Sequence, residues 1–321
     1  MIYPWQKDSW QRLFHGWESK PNAWLFYGRQ GVGKAAFVME YAKALLCEQP
    51  LEGSYFPCLQ CHSCHLFSQG SHPDFYQISP DEDSELNLIK IESIREVLAK
   101  VQTSSHLGGW KVVLIMPAEK MNMQASNALL KVLEEPPSKT IFLLVSHSKD
   151  KLLSTIVSRC RQFALSMPNE KEALEYLSTQ PNFDENTYFH LAFNSGVPFF
   201  SHNFPLELYQ EFLKVMLEPR LLSCLDFAQH YDSEIKTLDY FFDWVYKWLA
   251  DIILSQQGYG LKFNRTLSSC IEKKLKNKYN TRDLFALLTL VKQQARHKNH
   301  PLNTKLQIEN IMLEYLSLSI G

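Results

Sequence analysis

The sequence predicts an α/β fold: a parallel sheet with helices on both faces, followed by a carboxyl-terminal part that is all helix. Three observations lead there. Strand-like and helix-like segments alternate over about the first 165 residues. Two of the strand segments, Lys111–Met116 and Thr140–Val145, have the continuous apolar character of strands buried on both faces. Beyond Met167-Pro168, strand-like runs become rare while helical periodicity continues to the carboxyl end.

Taken in order, Trp24-Leu-Phe-Tyr27 is a short apolar run ending at Gly28, and Ala35 to Leu46 carries Phe37, Tyr41 and Leu45 at helical spacing. That is a strand, a glycine turn and a helix. After a cysteine-rich stretch, Phe75-Tyr-Gln-Ile78 reads as a strand, and Ile91, Ile94, Leu98 and Val101 step by three and four as a helix does. The strand at 111–116 is followed by a helix from Asn122 to Glu134, which Pro136-Pro137 must stop. The strand at 140–145 comes next. From 169 to about 205 two short helical segments are interrupted by Ser195-Gly-Val-Pro198, and Asn203-Phe-Pro205 marks a second break. The expected domains are 1–165 (sheet and helices, with a cysteine module at 47–64), 166–206 (small and helical) and 207–321 (helical).

A length of 321 residues fits two or three domains, and 45% apolar with 21% charged residues fits a chain that buries a sizeable core. The net charge of −1 announces neither a nucleic acid nor a membrane partner, so any such surface must be local. One candidate is residues 255–300, where ten Lys/Arg against two Asp/Glu give +8; a solvated helical face and a DNA or acidic-partner surface are both open readings. The longest apolar runs fall far below the ~20 residues needed to span a bilayer. The amino end lacks a basic start with an apolar core, so a cytoplasmic protein is expected. In a reducing compartment, clustered cysteines suggest metal and not disulfides.

Gly28-Arg-Gln-Gly31-Val-Gly33-Lys34-Ala35 fits the phosphate-loop pattern G-x-x-x-x-G-K between a strand and a helix. Such glycines let backbone N–H groups surround phosphate oxygens at a helix amino terminus, and the lysine adds charge. A working loop ends in Ser or Thr, whose hydroxyl holds Mg²⁺, and Ala35 offers no oxygen. A nucleotide hydrolase of this architecture also needs a carboxylate at the end of a neighbouring buried strand, where this chain has Met116-Pro117. Glu119 lies two or three residues further on and would need a distorted turn to substitute. Two independent losses of metal-handling groups argue against hydrolysis.

Cys47, Cys58, Cys61 and Cys64 supply four thiols, enough to close a tetrahedral zinc shell without water, which is the structural kind of site. His62, His65 or His72 could replace one ligand. Two further stretches are distinctive: Asn127-Ala-Leu-Leu-Lys-Val-Leu-Glu-Glu-Pro-Pro137, a helix ended by a double proline, and Ser158-Arg159-Cys160, which follows the next strand by a short connection.

Together these residues resemble the clamp-loader branch of the AAA+ family, and within it the delta-prime family of bacterial DNA polymerase III. The resemblance covers essentially the whole chain. It rests on Tyr3-Pro4-Trp5, the loop at 28–35, the cysteine insertion at 47–64, Lys111-Val-Val, the 127–137 helix, Ser158-Arg-Cys160 and Pro301-Leu-Asn303. The related motor subunits keep Ser or Thr where Ala35 stands and Asp-Glu where Met116-Pro117 stand. The resemblance implies a RecA-like domain, a helical lid and a helical collar that packs into a five-membered ring. It also implies structural zinc and a role, without ATP hydrolysis, in loading the sliding clamp onto primed DNA, with tau/gamma and delta subunits as partners. Arg159, flanked by Ser158 and Cys160, would be an arginine finger facing nucleotide on a neighbouring subunit. Lid domains of active members carry an arginine that reads nucleotide, and no arginine occurs between Arg161 and Arg220 here. Gly28, Gly31, Gly33 and Lys34 persist, which leaves weak nucleotide or anion binding open. Two rival readings are an independent ATPase using a metal site rebuilt around Glu119, and a zinc-dependent nucleic-acid-binding protein.

Overall fold

The computed structural model describes the chain apart from residues 1, 15–20, 81–86, 182, 184, 200–203, 236, 266, 268–274, 276–277, 297–302 and 321. Asn203 of the expected break, Pro301 and Leu302 of the Pro-Leu-Asn motif, Cys270 and several residues of the basic 255–300 segment therefore lie outside the described residues.

The contacts divide the chain into two compact units, one of residues 1–181 with 197–199, the other of 182–196 with 200–321. In the first, α1 (Lys7–Phe14) precedes β1 (Ala23–Tyr27), which feeds α2 (Lys34–Leu46). Then follow α3 (His62–Ser68), β2 (Phe75–Ile78), α4 (Ile91–Val101), β3 (Lys111–Ile115) and α5 (Met123–Glu134). The unit continues through β4 (Thr140–Ser146), α6 (Ser154–Arg159), β5 (Arg161–Ala164) and α7 (Glu170–Ser178). The five strands form one sheet in the order β2-β3-β4-β1-β5. Every described pairing is parallel, with Leu25 opposite Leu144 and Leu114 opposite Leu143.

The period-2 alternation of a strand divides its apolar side chains between two cores. Trp24, Phe26, Val112, Leu114, Ile141, Leu143 and Val145 pack with Phe37, Val38 and Tyr41 of α2. Their neighbours Leu25, Val113, Ile115, Phe142 and Leu144 pack on the other face with residues of α4, α5 and α6. This explains why these strands read as continuous apolar runs: both faces are covered. Asn122 caps α5, its side-chain oxygen accepting from the Ala125 N–H at 2.7 Å. The short fifth strand, Arg161-Gln-Phe-Ala164, carries no such run and lies at the sheet edge.

Parallel pairing places the carboxyl ends of β1, β3 and β4 on one side. The loops that follow them, carrying the glycines, Glu119 and His147, therefore share that side.

The second unit is helical among its described residues: α8 (Glu185–Phe193), α9 (Leu206–Leu217), α10 (Leu221–Glu234), α11 (Asp239–Gln256), α12 (Thr281–Arg296) and α13 (Thr304–Ile320). Its core is rich in aromatics, including Tyr209, Phe212, Tyr231, Trp244, Trp248 and Tyr315. The buried Asp251 carboxylate accepts the backbone N–H groups of Lys262, Phe263 and Asn264.

Candidate functional site

Three groups of residues carry the candidate chemistry, all within the first unit. The first is the glycine loop between β1 and α2. Gly31 and Gly33 both have positive φ, +79° and +86°, so the chain turns as a phosphate loop requires. The space around them is already filled. A Cβ on Gly31 would lie 2.2 Å from the Phe199 carbonyl oxygen and 2.4 Å from Val197 Cγ1, and one on Gly33 would lie 2.5 Å from the Tyr3 ring. The Phe199 N–H donates to the Gly31 carbonyl at 3.2 Å. Trp5 Nε1 and Gln6 Nε2 each donate to the Val32 carbonyl at 3.1 Å, and Gln6 Nε2 also reaches that of Gly33. Tyr3 stacks on Trp5 with ring centroids 5.0 Å apart, and Tyr176 and Phe199 pack edgewise or tilted against both.

Lys34 is turned back onto its own loop. Its Nζ donates to the carbonyls of Gly28 and Arg29 at 2.7 and 2.6 Å, and the residue is 3% exposed. Burial pulls its pKa down to about 8, opposed by the nearby negative charge of Glu119. Glu119 does reach this side of the sheet: Oε1 accepts the His147 backbone N–H at 2.9 Å. The His147 ring is held below its ordinary pKa, chiefly by burial and then by the Lys34 charge. Lysine, glutamate and histidine thus lie together where a phosphate loop and a neighbouring strand end would hold phosphate and metal, with Glu119 Oε2 and His147 Nδ1 buried and without a hydrogen-bond partner among the described residues.

The second group is the cysteine cluster. Cys47 follows the last residue of α2, and Cys61 caps α3. Cys58 and Cys64 complete a set whose sulfurs all lie within 4.8 Å of one another. The Cys47 Sγ is 3.5 Å from that of Cys58 and 3.9 Å from that of Cys61. A tetrahedron with Zn–S bonds of ~2.3 Å has edges of ~3.8 Å, so the four thiols match the metal's geometry. Backbone N–H groups of Cys58, Cys61 and Cys64 point at the sulfurs of Cys47, Cys58 and Cys61 at 3.3–3.4 Å, an arrangement that favours thiolates. The N–H groups on Cys58, that of Gln60 foremost, bring its pKa down to about 6, while burial raises Cys47 and Cys64.

His72 has another occupation. Its Nδ1 accepts the Asp74 N–H at 3.1 Å, so Nε2 carries the proton and donates to Ser63 Oγ at 2.8 Å. Ser63 in turn donates to the Leu46 carbonyl at 2.6 Å. Asp74, 1% exposed, accepts from the N–H groups of His106 and Leu107. Both histidine nitrogens are therefore taken, and among the described residues the cluster that could hold a metal consists of the four cysteines.

The third group is Ser158-Arg159-Cys160 at the end of α6. Cys160 is buried, its thiol pushed up to about 12 by burial, and it anchors the segment in the core. Arg159 is exposed on the outside. Its Nε donates to Glu134 Oε1 at 2.8 Å, its Nη2 bonds the same oxygen, and Nη1 donates to the Thr155 carbonyl at 3.0 Å. Glu134 is the last residue of α5, in the glutamate pair before the double proline.

Tyr176, Val197, Phe199, His147 and Glu134 are site residues that spacing did not single out. Tyr3 and Trp5, which belong to the aromatic cover, enter the sequence reading only as marks of the resemblance.

Comparison with known proteins follows the same lines. The family model described as "DNA polymerase III, delta subunit" matches residues 6–169. The chain is 42% identical over 177 residues to "DNA polymerase III subunit delta'" of Pseudomonas aeruginosa, covering 55% of this chain and 52% of that protein. It is 30% identical over 263 residues to the subunit of the same name from Buchnera aphidicola, covering 78% of each. It is also 37% identical over 164 residues to "DNA polymerase III subunit tau/gamma" of Haemophilus influenzae, covering 50% of this chain and 23% of that one. The match spans about half the length of the Pseudomonas relative.

Proposed function

The chain belongs to the DNA polymerase III delta-prime family, and from that premise we propose that it is the non-hydrolysing member of a ring that loads the sliding clamp onto primed DNA. The reading gives it three parts: a RecA-like AAA+ domain (1–165), a lid (166–206) and a collar (207–321). Its partners are tau/gamma-type ATPase subunits and a delta subunit. Four cysteines, Cys47, Cys58, Cys61 and Cys64, hold structural zinc, and Arg159 serves as an arginine finger for nucleotide on the adjoining ATPase subunit.

The observation that carries the non-hydrolysing role is the closed glycine loop. Lys34 is paired with the Gly28 and Arg29 carbonyls, and Tyr3 and Phe199 occupy the space against Gly33 and Gly31. A phosphate would have to draw Lys34 away from those two carbonyls. The side chains of Ala35, Met116 and Pro117 supply no oxygen to a metal, and Glu119, whose Oε1 accepts the His147 N–H while Oε2 has no partner among the described residues, lies near the Lys34 charge. This weakens the rival of a self-sufficient ATPase built on Glu119.

The test is nucleotide binding and steady ATP turnover by the purified chain. Neither is expected above background, with Ala35→Thr included as a variant that restores the hydroxyl alone. Turnover that Lys34→Ala abolishes would refute the non-hydrolysing role.

A further inference from the structure

Arg159 carries five N–H donors, and three of its nitrogen positions are already engaged within the chain: Nε and Nη2 by Glu134 Oε1, and Nη1 by the Thr155 carbonyl. Two donors remain. A carboxylate oxygen that takes Nε–H together with one N–H of Nη2 grips the side edge of the planar guanidinium. The end edge, with one N–H on each Nη, is the edge suited to two oxygens of a phosphate. The pair is half-exposed, 34% for the arginine side chain and 52% for the glutamate, so an incoming anion can reach it. Both residues sit at helix carboxyl ends, Glu134 on α5 and Arg159 on α6. The two helices are packed together through a common core, so the backbone under the pair is rigid.

We infer that Glu134 is a positioning residue for the arginine finger: it holds the guanidinium plane so that the N–H donors left over, one on each Nη, are presented, already oriented, to nucleotide on the neighbouring subunit. The inference rests on reading Arg159 as a finger. An arginine side chain free to rotate about several bonds must be ordered before it can stabilise a transferring phosphoryl group, and pairing with a helix-end carboxylate and with the Thr155 carbonyl lowers that cost in advance. Glu134 itself touches no phosphate, because a second negative charge there would repel it. Exposed ion pairs contribute little to stability, so this pair matters for orientation and not for folding.

The experiment uses the complete clamp-loader complex, reconstituted with wild-type chain, Glu134→Ala, Glu134→Gln, Arg159→Ala and the Glu134→Ala/Arg159→Ala double variant. It reads DNA-stimulated kcat and KM for ATP, clamp-loading rate, and the melting temperature of the variant chain. Glu134→Ala is expected to slow clamp loading by about threefold to tenfold and to lower the DNA-stimulated kcat for ATP by a fraction, with KM for ATP and the melting temperature nearly unchanged. Glu134→Gln, which keeps an acceptor oxygen, should recover most of the rate. Arg159→Ala should fall further, and the double variant should match it, because Glu134 acts only through the arginine. If Arg159→Ala is impaired and Glu134→Ala is not, the inference is overturned while the finger stands. A Glu134→Ala rate above wild type, a glutamine variant as poor as alanine, or a double variant worse than Arg159→Ala also overturns it. If Arg159→Ala has no effect, the finger itself fails and the inference with it.

Discussion

A lysine ammonium at the head of α2 meets two carbonyl oxygens of its own loop where a phosphate loop would offer it to phosphate, and this single side chain ties sequence to chemistry. Its lowered pKa, near 8 against an ordinary 10.5, has a consequence for stability. Between those two values the unfolded chain holds the proton on Lys34 and the folded chain does not, so this group makes the fold more stable as pH rises through that window. Lys34→Met should remove that rise, seen as a flatter curve of melting temperature between pH 8 and 10.5. A second expectation concerns Gly33. A side chain there adopts a left-handed backbone and meets the Tyr3 ring at 2.5 Å, which together cost roughly 2–4 kcal/mol. In a Tyr3→Ala background the steric part disappears, so Gly33→Ala should cost clearly less there in denaturant unfolding. Equal costs in both backgrounds would show that Tyr3 does not fill the loop.

At the scale of elements, the cysteine module brings four thiols within reach of one metal ion. In the stretch from Cys47 to Cys61, which joins α2 to α3, Tyr55 and Phe56 pack on the sheet core while Leu51 and Leu59 stand exposed. One zinc per chain is therefore expected, and elemental analysis of protein purified without chelator checks it. Cys61→Ser or strong chelation should lower the melting temperature by roughly 5–15 °C, because structural zinc contributes folding free energy directly. The elements themselves were legible to differing degrees, for physical reasons. β3 and β4 declared themselves because both faces are covered, and α5 because Asn122 caps it and Pro136-Pro137 follows. β5 did not, since an edge strand of four residues with Arg161 and Gln162 exposed has no apolar run to read. The loop and the four cysteines were legible because their spacing is local. The cover over the loop was not, since Val197 and Phe199 come from more than 160 residues away, and no periodicity encodes such a contact. Glu134 stood in a motif already noticed, but its pairing with Arg159 across 25 residues exists only in the folded chain.

At the scale of the whole molecule, the proposed role joins a lysine turned back onto its own loop to an exposed arginine offered to another subunit's nucleotide. Among the described residues no helix is long and apolar enough to cross a membrane. A single finger is worth ~10³–10⁵ in rate at the site it serves. In a ring with several ATPase sites, each facing its own neighbour, Arg159→Ala should silence only the site next to this chain. DNA-stimulated ATP turnover should therefore fall by a fraction, whereas clamp loading, which requires the sites to act together, should fall by more. Arg159→Lys should do no better, because a point charge cannot reproduce the planar pair of donors left free beside Glu134. The alternative is that Arg159 serves only the salt bridge to Glu134; an exposed pair contributes at most ~1 kcal/mol to stability, and its loss would leave the assembled machine unaffected. ATP turnover and clamp loading by the reconstituted complex separate the two: wild-type values for both variants would leave the arginine with the salt bridge alone, and loss of loading with normal folding, zinc content and assembly would place it at the neighbour's nucleotide.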